Sequence, residues 1–129
     1  MSNPSVFTGA VAVAAALLII AGPAWAGDAD VVGVKATRHG AGHFDIAVTV
    51  RSRDTGWDRY ADRLEVVGSD GTVLATRVLD HPHDDEQPFT RDITGVTIAG
   101  AARVTIRVHF KPTGFDGVTR TINLQGDDS

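Results

Sequence analysis

Apolar and polar residues alternate along most of residues 31–124, and nowhere in this region do apolar residues recur with the period of an amphipathic helix. The clearest stretch is 43–51, where Phe44, Ile46, Val48 and Val50 lie on one side of the chain. Successive side chains of a β-strand point to opposite faces, so this pattern predicts one apolar, buried face. The sequence therefore predicts an all-β fold.

Turn residues divide the alternating region into seven short segments. They cover residues 31–37, 43–51, 59–67, 72–79, 89–98, 103–110 and 118–124. Asp70-Gly71 predicts a hairpin between the third and fourth segments, Gly95 predicts a bulge in the fifth, and residues 99–102 are expected to form a turn. Seven strands at this spacing indicate an immunoglobulin-like or fibronectin-III-like β-sandwich.

The first 26 residues differ sharply from the rest. They contain no Asp, Glu, Lys or Arg, and an apolar run over 11–21 precedes a Gly-Pro pair and the small-residue pattern Ala24-Trp25-Ala26. This arrangement is typical of a secretory signal peptide cleaved after Ala26, and the run is shorter than the roughly 20 residues of a membrane-spanning helix. We therefore expect a periplasmic protein with a β-sandwich domain at 27–124, a flexible polar tail at 125–129 and no membrane association after cleavage.

The composition excludes several classes of protein. A chain of 129 residues has the size of one domain. Lys and Arg number 12 against 16 Asp and Glu, a formal net charge of −4, and no cluster of basic residues indicates a nucleic-acid partner. The absence of cysteine excludes disulfides, cysteine-ligated metals and thiol catalysis. No G-x-S-x-G motif is present, so we expect no enzyme, and a small enzyme is only a third alternative.

The order of the predicted strands determines where their loops lie. Strand direction alternates along such a sandwich, so loops separated by two strands emerge at the same end. The loops at 52–58, 80–88 and 111–117 are therefore expected together, and those at 38–42, 68–71 and 99–102 at the opposite end, where the residues are mostly small. Because binding residues concentrate on loops held by a rigid scaffold, the first end is the candidate functional surface.

The loop at 80–88 contains the run HPHDDE. In an extended segment His81 and His83 point to the same side, and the intervening proline holds the backbone extended. Imidazole and carboxylate ligands suit Cu(II), Zn(II) or Ni(II), so we expect a candidate metal site of His81, His83, Glu86 and, from the end of the sixth strand, His109. The alternative is a solvated acidic loop with incidental histidines, which is the more common meaning of an isolated H-x-H motif.

Aromatic residues occur in the other two loops of the same end. Trp57, with Tyr60 close by, and Phe115 are candidate contacts for a partner or a carbohydrate. The alternative for Trp57 and Phe115 is a lid over the end of the core, because burial of so large an apolar surface is favourable by about 2 to 3 kcal/mol. The candidates for weak surface ion pairs with the arginines of the sixth strand are Asp54, Asp58, Asp62 and Asp116.

Two stretches carry a resemblance: TGWDRYAD at 55–62 and HPHDDEQPFTR at 81–91. Through these stretches the chain resembles a family of small exported proteobacterial β-sandwich proteins with no assigned function. The resemblance covers residues 32–124. The resemblance implies export and a β-sandwich, and it implies no catalytic residues.

Together these features favour an exported interaction module that binds another protein through its loops. The alternative function is a periplasmic transition-metal binding protein that uses the His81-Pro82-His83 loop, with Cu(II) or Zn(II) as the candidate cofactor. The interaction module is indicated by the convergence of aromatic loop residues on one end. The metal-binding protein is indicated by the pair of imidazoles.

Overall fold

The computed structural model describes residues 26–125, and every regular element in this range is a β-strand. The seven strands are β1 (Ala29–Arg38), β2 (His43–Ser52), β3 (Tyr60–Gly68), β4 (Val73–Val78), β5 (Phe89–Thr97), β6 (Ala101–Lys111) and β7 (Arg120–Gln125). They form two antiparallel sheets, one of three strands in the order β1-β2-β5 and one of four in the order β4-β3-β6-β7. The predicted all-β sandwich of seven strands is confirmed.

The core lies between the two sheets and is built by the alternating residues. Phe44, Ile46, Val48 and Val50 of β2 are buried from one sheet, and the apolar residues of β6 (Val104, Ile106, Val108 and Phe110) are buried from the other. Each such side chain stabilises the fold by about 1.5 to 3 kcal/mol when it leaves water. The period of two is therefore the direct cause of the two-layer architecture.

Local features follow the sequence closely. The hairpin between β3 and β4 turns at Gly71, which has a φ of 89° that favours glycine. The bulge predicted at Gly95 is also present, because Thr94 and Gly95 together lie opposite the single residue Asp45 of β2. The turn expected at 99–102 is shorter than predicted, since β6 already begins at Ala101.

The chain ends fall largely outside the described residues. Of the predicted signal peptide, residues 1–26, only Ala26 is described, and of the predicted tail, residues 125–129, only Gln125 is described. Gln125 is the last residue of β7 and not the start of a tail, because the pairing of β7 with β6 extends to it.

Hydrogen bonds tie the two sheets together at both edges. On one edge the N–H of Val31 donates to the carbonyl of Val118 at 2.9 Å, and the Arg120 guanidinium donates to the carbonyl of Val32 at 3.0 Å. On the other edge the Arg77 guanidinium of β4 donates to the carbonyl of Asp92 in β5 at 2.8 Å. The sandwich is therefore a rigid support for the loops at its ends.

Candidate functional site

Three loops meet at one end of the sandwich, as the strand order predicts. They are the β2–β3 loop (53–59), the β4–β5 loop (79–88) and the β6–β7 loop (112–119), which we call together the loop end. Contacts join them to each other and to the start of the described chain: Asp54 bonds His83, and Asp28 contacts both Arg59 at 3.4 Å and Asp116 at 3.3 Å. The predicted convergence of these loops is confirmed.

A buried carboxylate organises the first two loops. Asp54 accepts hydrogen bonds from the Ser52 hydroxyl at 2.7 Å, the Ala61 N–H at 3.0 Å and the His83 N–H at 2.8 Å. The Gln87 side chain completes the network, since it accepts from the Ser52 N–H at 2.8 Å and donates to the carbonyl of His83 at 3.0 Å. The expectation of a surface ion pair for Asp54 is wrong, because its side chain is fully buried and its partners are neutral donors.

His83 lies inside this network and not on the surface. Its side chain is only 2% exposed and stacks on Phe89 with 3.9 Å between ring centroids and 8° between planes. Its Nδ1 lies 3.8 Å from the Asp54 carboxylate, too far for a hydrogen bond. Neither ring nitrogen has a hydrogen-bond partner in the described residues, a rare condition for a buried polar group and one that calls for a physical explanation.

The surroundings of His83 keep its imidazole neutral. Burial lowers the pKa of His83 below its usual 6.5, and the nearby charges of Arg91 and His81 lower it further. The carboxylates of Asp54 and Glu86 act in the opposite direction but do not outweigh these effects. At neutral pH the ring therefore presents uncharged nitrogens to its surroundings.

The structure brings together two of the four predicted metal ligands. The rings of His81 and His83 lie 4.5 Å apart between centroids with a tilt of 37°. Glu86 is instead 3.3 Å from the Arg91 guanidinium, and His109 lies on the outer face of the four-stranded sheet, 2.6 Å from Asp62. Within residues 26–125 no group of three or more His, Asp or Glu side chains is placed to hold one metal ion.

Trp57 stands at the tip of the β2–β3 loop. A tight turn over 56–59 carries it, closed by hydrogen bonds from the Thr55 N–H to the Arg59 carbonyl at 2.9 Å and from the Arg59 N–H to the Gly56 carbonyl at 3.2 Å. The side chain is 61% exposed, so the alternative of a lid over the core is wrong. Its only described ring contact is edge-to-face with Tyr60, at 5.6 Å between centroids.

Phe115 belongs to the same end but has partners within the chain. It lies across the outer face of the four-stranded sheet, 4.0 Å from the Arg107 guanidinium and 5.3 Å from that of Arg63. The His109 ring meets it edge-on at 4.9 Å. Phe115 is 36% exposed and is fixed by cation–π contacts, whereas Trp57 is 61% exposed.

A second buried carboxylate, that of Glu65, is bonded to the same two arginines that contact Phe115. Glu65 accepts two hydrogen bonds from Arg107, at 2.9 and 2.7 Å, and one from Arg63 at 2.9 Å. Burial alone would raise the pKa of Glu65, but the hydrogen bonds and positive charges of Arg63 and Arg107 outweigh it and lower the pKa below its usual 4.5. The sequence indicated neither Glu65 nor Asp54 as an organising residue. The alternation of β3 is the one available signal for Glu65, since it places this residue on the same outward face as Arg63.

Comparison with known proteins gives one distant relative. A protein named "Putative lipoprotein" from the archaeon Halomicrobium mukohataei is 32% identical over 98 residues, which is 76% of this chain and 48% of the relative. The chain thus spans about half the length of the curated relative it matches. No protein-family model matches the chain, and no solved structure matches it.

The relative supplies no activity or ligand for the site. Its similarity gives the chain a distant homologue in an archaeon, and the proteobacterial group suggested by the two sequence motifs stays a prediction.

In residues 26–125 no helix has the length and apolar character that crossing a membrane requires.

Proposed function

We propose that this protein is an exported, non-enzymatic interaction module that binds another protein through the loop end, with Trp57 as the central contact. The observation that carries the proposal is a tryptophan 61% exposed at the tip of a turn closed by backbone hydrogen bonds. Export is supported by the signal-peptide pattern of residues 1–26 and by a relative that is named as a lipoprotein.

An exposed tryptophan on a fixed turn is well suited to dominate a binding interface. Burying the free part of the ring against a partner stabilises a complex by about 2 kcal/mol, and tryptophan is among the residues most enriched at energetic hot spots. The backbone hydrogen bonds of the 56–59 turn hold its backbone before binding, so little backbone entropy is lost. Tyr60, with the Lys111 ammonium 5.6 Å from its ring, extends the contact surface beside Trp57.

The shape of the site favours a macromolecule over a small ligand. Trp57 protrudes, and a protruding anchor needs a partner that supplies the pocket. A shallow cavity of about 350 Å³ lies at the opposite end of the sandwich, lined by the start of β6 and the end of β7, and so does not enclose the Trp57 ring. Protein partners offer such pockets and also polar rims for the charged neighbours of Trp57.

Crosslinking in living cells tests the proposal. A photoreactive amino acid replaces Trp57 in one variant and Leu74 in a control variant. Leu74 is a suitable control because it is 40% exposed and lies at the opposite end of the four-stranded sheet. We expect a discrete protein adduct from position 57 and none of the same mass from position 74. An identical set of adducts from both positions, or none from position 57, would overturn it.

We also propose cleavage after Ala26 and residence in the periplasm. The small-residue pattern before Gly27 supports the cleavage position. The intact mass of the protein recovered from a periplasmic extract is expected to correspond to a chain that begins at Gly27. Recovery of a full-length protein from the cytoplasm would contradict both the cleavage after Ala26 and the periplasmic location.

A further inference from the structure

We propose that His81 and His83 form a binding site for a divalent transition metal, with Cu(II) as the best-fitting ion. This site lies on the β4–β5 loop and is independent of the partner contact at Trp57. Its ligands are the two imidazoles, with water in the remaining positions, and they do not include Glu86 or His109.

The first support is the unpartnered state of His83. Both of its nitrogens are buried and without a hydrogen-bond partner in the described residues, which costs free energy relative to a bonded group. A bound ion would remove that cost for the coordinating nitrogen. His81 covers His83 at 4.5 Å between ring centroids, and its side chain is 55% exposed, so an ion arriving from solvent meets it first.

The second support is the carboxylate that is bonded to the His81 ring. His81 Nδ1 lies 2.9 Å from Asp80 Oδ1, and His83 Nδ1 lies 3.8 Å from Asp54 Oδ2. Metal-ligating histidines commonly have a carboxylate at one ring nitrogen, which fixes the ring orientation and leaves the other nitrogen for the metal. Nε2 is therefore the His81 nitrogen available to an ion, whereas Asp54 is too far from His83 Nδ1 to select one of the two unpartnered nitrogens of His83.

The third support is the spacing of the rings. A metal–nitrogen bond of about 2.0 Å puts each imidazole centroid about 3.2 Å from the ion. Two rings at right angles around one ion then have centroids about 4.5 Å apart, and two rings at the tetrahedral angle about 5.2 Å apart. The observed 4.5 Å shows that the two imidazoles are close enough to bind one ion together. Cu(II) binds most tightly among the divalent ions of this series.

The local charge is compatible with a cation. Arg91 is a positive side chain that acts on His83, and its guanidinium is paired with Glu86 at 3.3 Å. The carboxylates of Asp54 and Asp80 stand behind the two imidazoles. These negative charges act in the opposite direction to the repulsion that Arg91 exerts.

Calorimetric titration of the purified full-length protein with Cu(II), and separately with Zn(II), tests the site. We expect one Cu(II) per chain, tighter than Zn(II), with an electron paramagnetic resonance spectrum that reports two equatorial imidazole nitrogens. His81→Ala is expected to weaken Cu(II) binding by about tenfold or more and to leave one imidazole in the spectrum. Because His81 is exposed, this variant is expected to fold.

The chain offers a matched control. His39 is also 55% exposed and lies 2.8 Å from an aspartate, Asp45, at the opposite end of the molecule. His39→Ala is expected to leave Cu(II) binding unchanged, whereas Asp80→Asn, which removes the carboxylate behind His81, is expected to weaken it by about tenfold.

Three results would overturn the metal site: no Cu(II) binding by the wild type, equal binding by wild type and His81→Ala, or loss of binding in His39→Ala. Trp57→Ala is expected to bind Cu(II) normally, so that failure of the metal site and failure of the partner site are separate results.

Discussion

The backbone N–H of His83 donates a 2.8 Å hydrogen bond to the buried carboxylate of Asp54, which lies 29 positions earlier in the chain. This single bond joins the β4–β5 loop to the β2–β3 loop, and the same carboxylate also holds Ser52 and Ala61. The turn that presents Trp57 begins two residues after Asp54. The position of the exposed tryptophan therefore depends on a carboxylate that no solvent reaches.

Replacement of Asp54 by alanine is expected to destabilise the protein strongly. It leaves the donors of Ser52, Ala61 and His83 without their acceptor, and each buried orphaned donor costs about 1 to 3 kcal/mol. We expect the free energy of unfolding in urea to fall by about 3 kcal/mol or more. Asp58→Ala, at an exposed position of the same loop, is the control and is expected to change it by less than about 0.5 kcal/mol. Equal stabilities of the two variants would contradict the role of Asp54.

Glu65 is expected to make stability depend on pH in the acid range. Its pKa is lowered in the folded protein, so the unfolded chain takes up the proton more readily, and folding is stabilised at pH values above 4.5. That contribution is lost as the pH falls through the lowered pKa. We expect Glu65→Gln to be less stable than wild type at neutral pH and the difference to shrink below pH 4.5.

Urea unfolding of wild type and Glu65→Gln across this pH range is the measurement. Glu86→Gln, at an exposed glutamate that also faces an arginine, is the control. A stability difference for Glu65→Gln that stays constant from neutral to acid pH would refute the contribution of the Glu65 carboxylate.

Arg107 and Phe115 are expected to be energetically coupled. The guanidinium lies 4.0 Å from the ring centroid, and cation–π pairs at partly exposed sites contribute about 0.5 to 1 kcal/mol. A double-mutant cycle with Arg107→Ala and Phe115→Ala is expected to return a coupling free energy of this size. The same cycle with Arg103, an exposed arginine on the same face of β6, is expected to be additive. Equal coupling in both cycles would show that the contact is not specific.

Gly117 is expected to tolerate no side chain. A methyl group there would overlap the carbonyl oxygen of Ala29 and lie 2.5 Å from the Asp30 carboxylate, at the point where β1 meets the β6–β7 loop. Because the obstacle is backbone, we expect Gly117→Ala to cost about 2 to 3 kcal/mol. Gly33→Ala is the control, since its methyl group would meet Thr49 at an ordinary 3.4 Å. Similar thermal midpoints for both variants would contradict this account of Gly117.

Much of the fold could be predicted because one simple pattern determines it. The apolar residues of β2 and β6 alternate over their whole length, and the strand boundaries from that pattern differ from the structure by at most two residues. The meeting of the three loops at one end follows from the alternation of strand direction alone. The strand boundaries and the position of the loops therefore follow from the local residue pattern and the order of the strands along the chain.

The chemistry of the loop end could not be predicted because it depends on contacts between distant residues. Asp54 is charged and lies in a loop, where such residues are normally solvated, and its burial requires donors from three separate positions. Glu65 meets Arg107 only because β3 pairs with β6 in one register, which the sequence does not reveal. Trp57 stays exposed because the 56–59 turn closes on itself.

The most direct test of the account is the affinity of Trp57→Ala for the protein that crosslinks at position 57. Surface plasmon resonance on the purified pair is expected to show the dissociation constant raised about tenfold or more, which corresponds to about 1.4 kcal/mol. Trp57→Phe is expected to retain part of the affinity, and Leu74→Ala all of it. A dissociation constant for Trp57→Ala equal to that of the wild type would contradict the claim that this exposed ring is the centre of the interface.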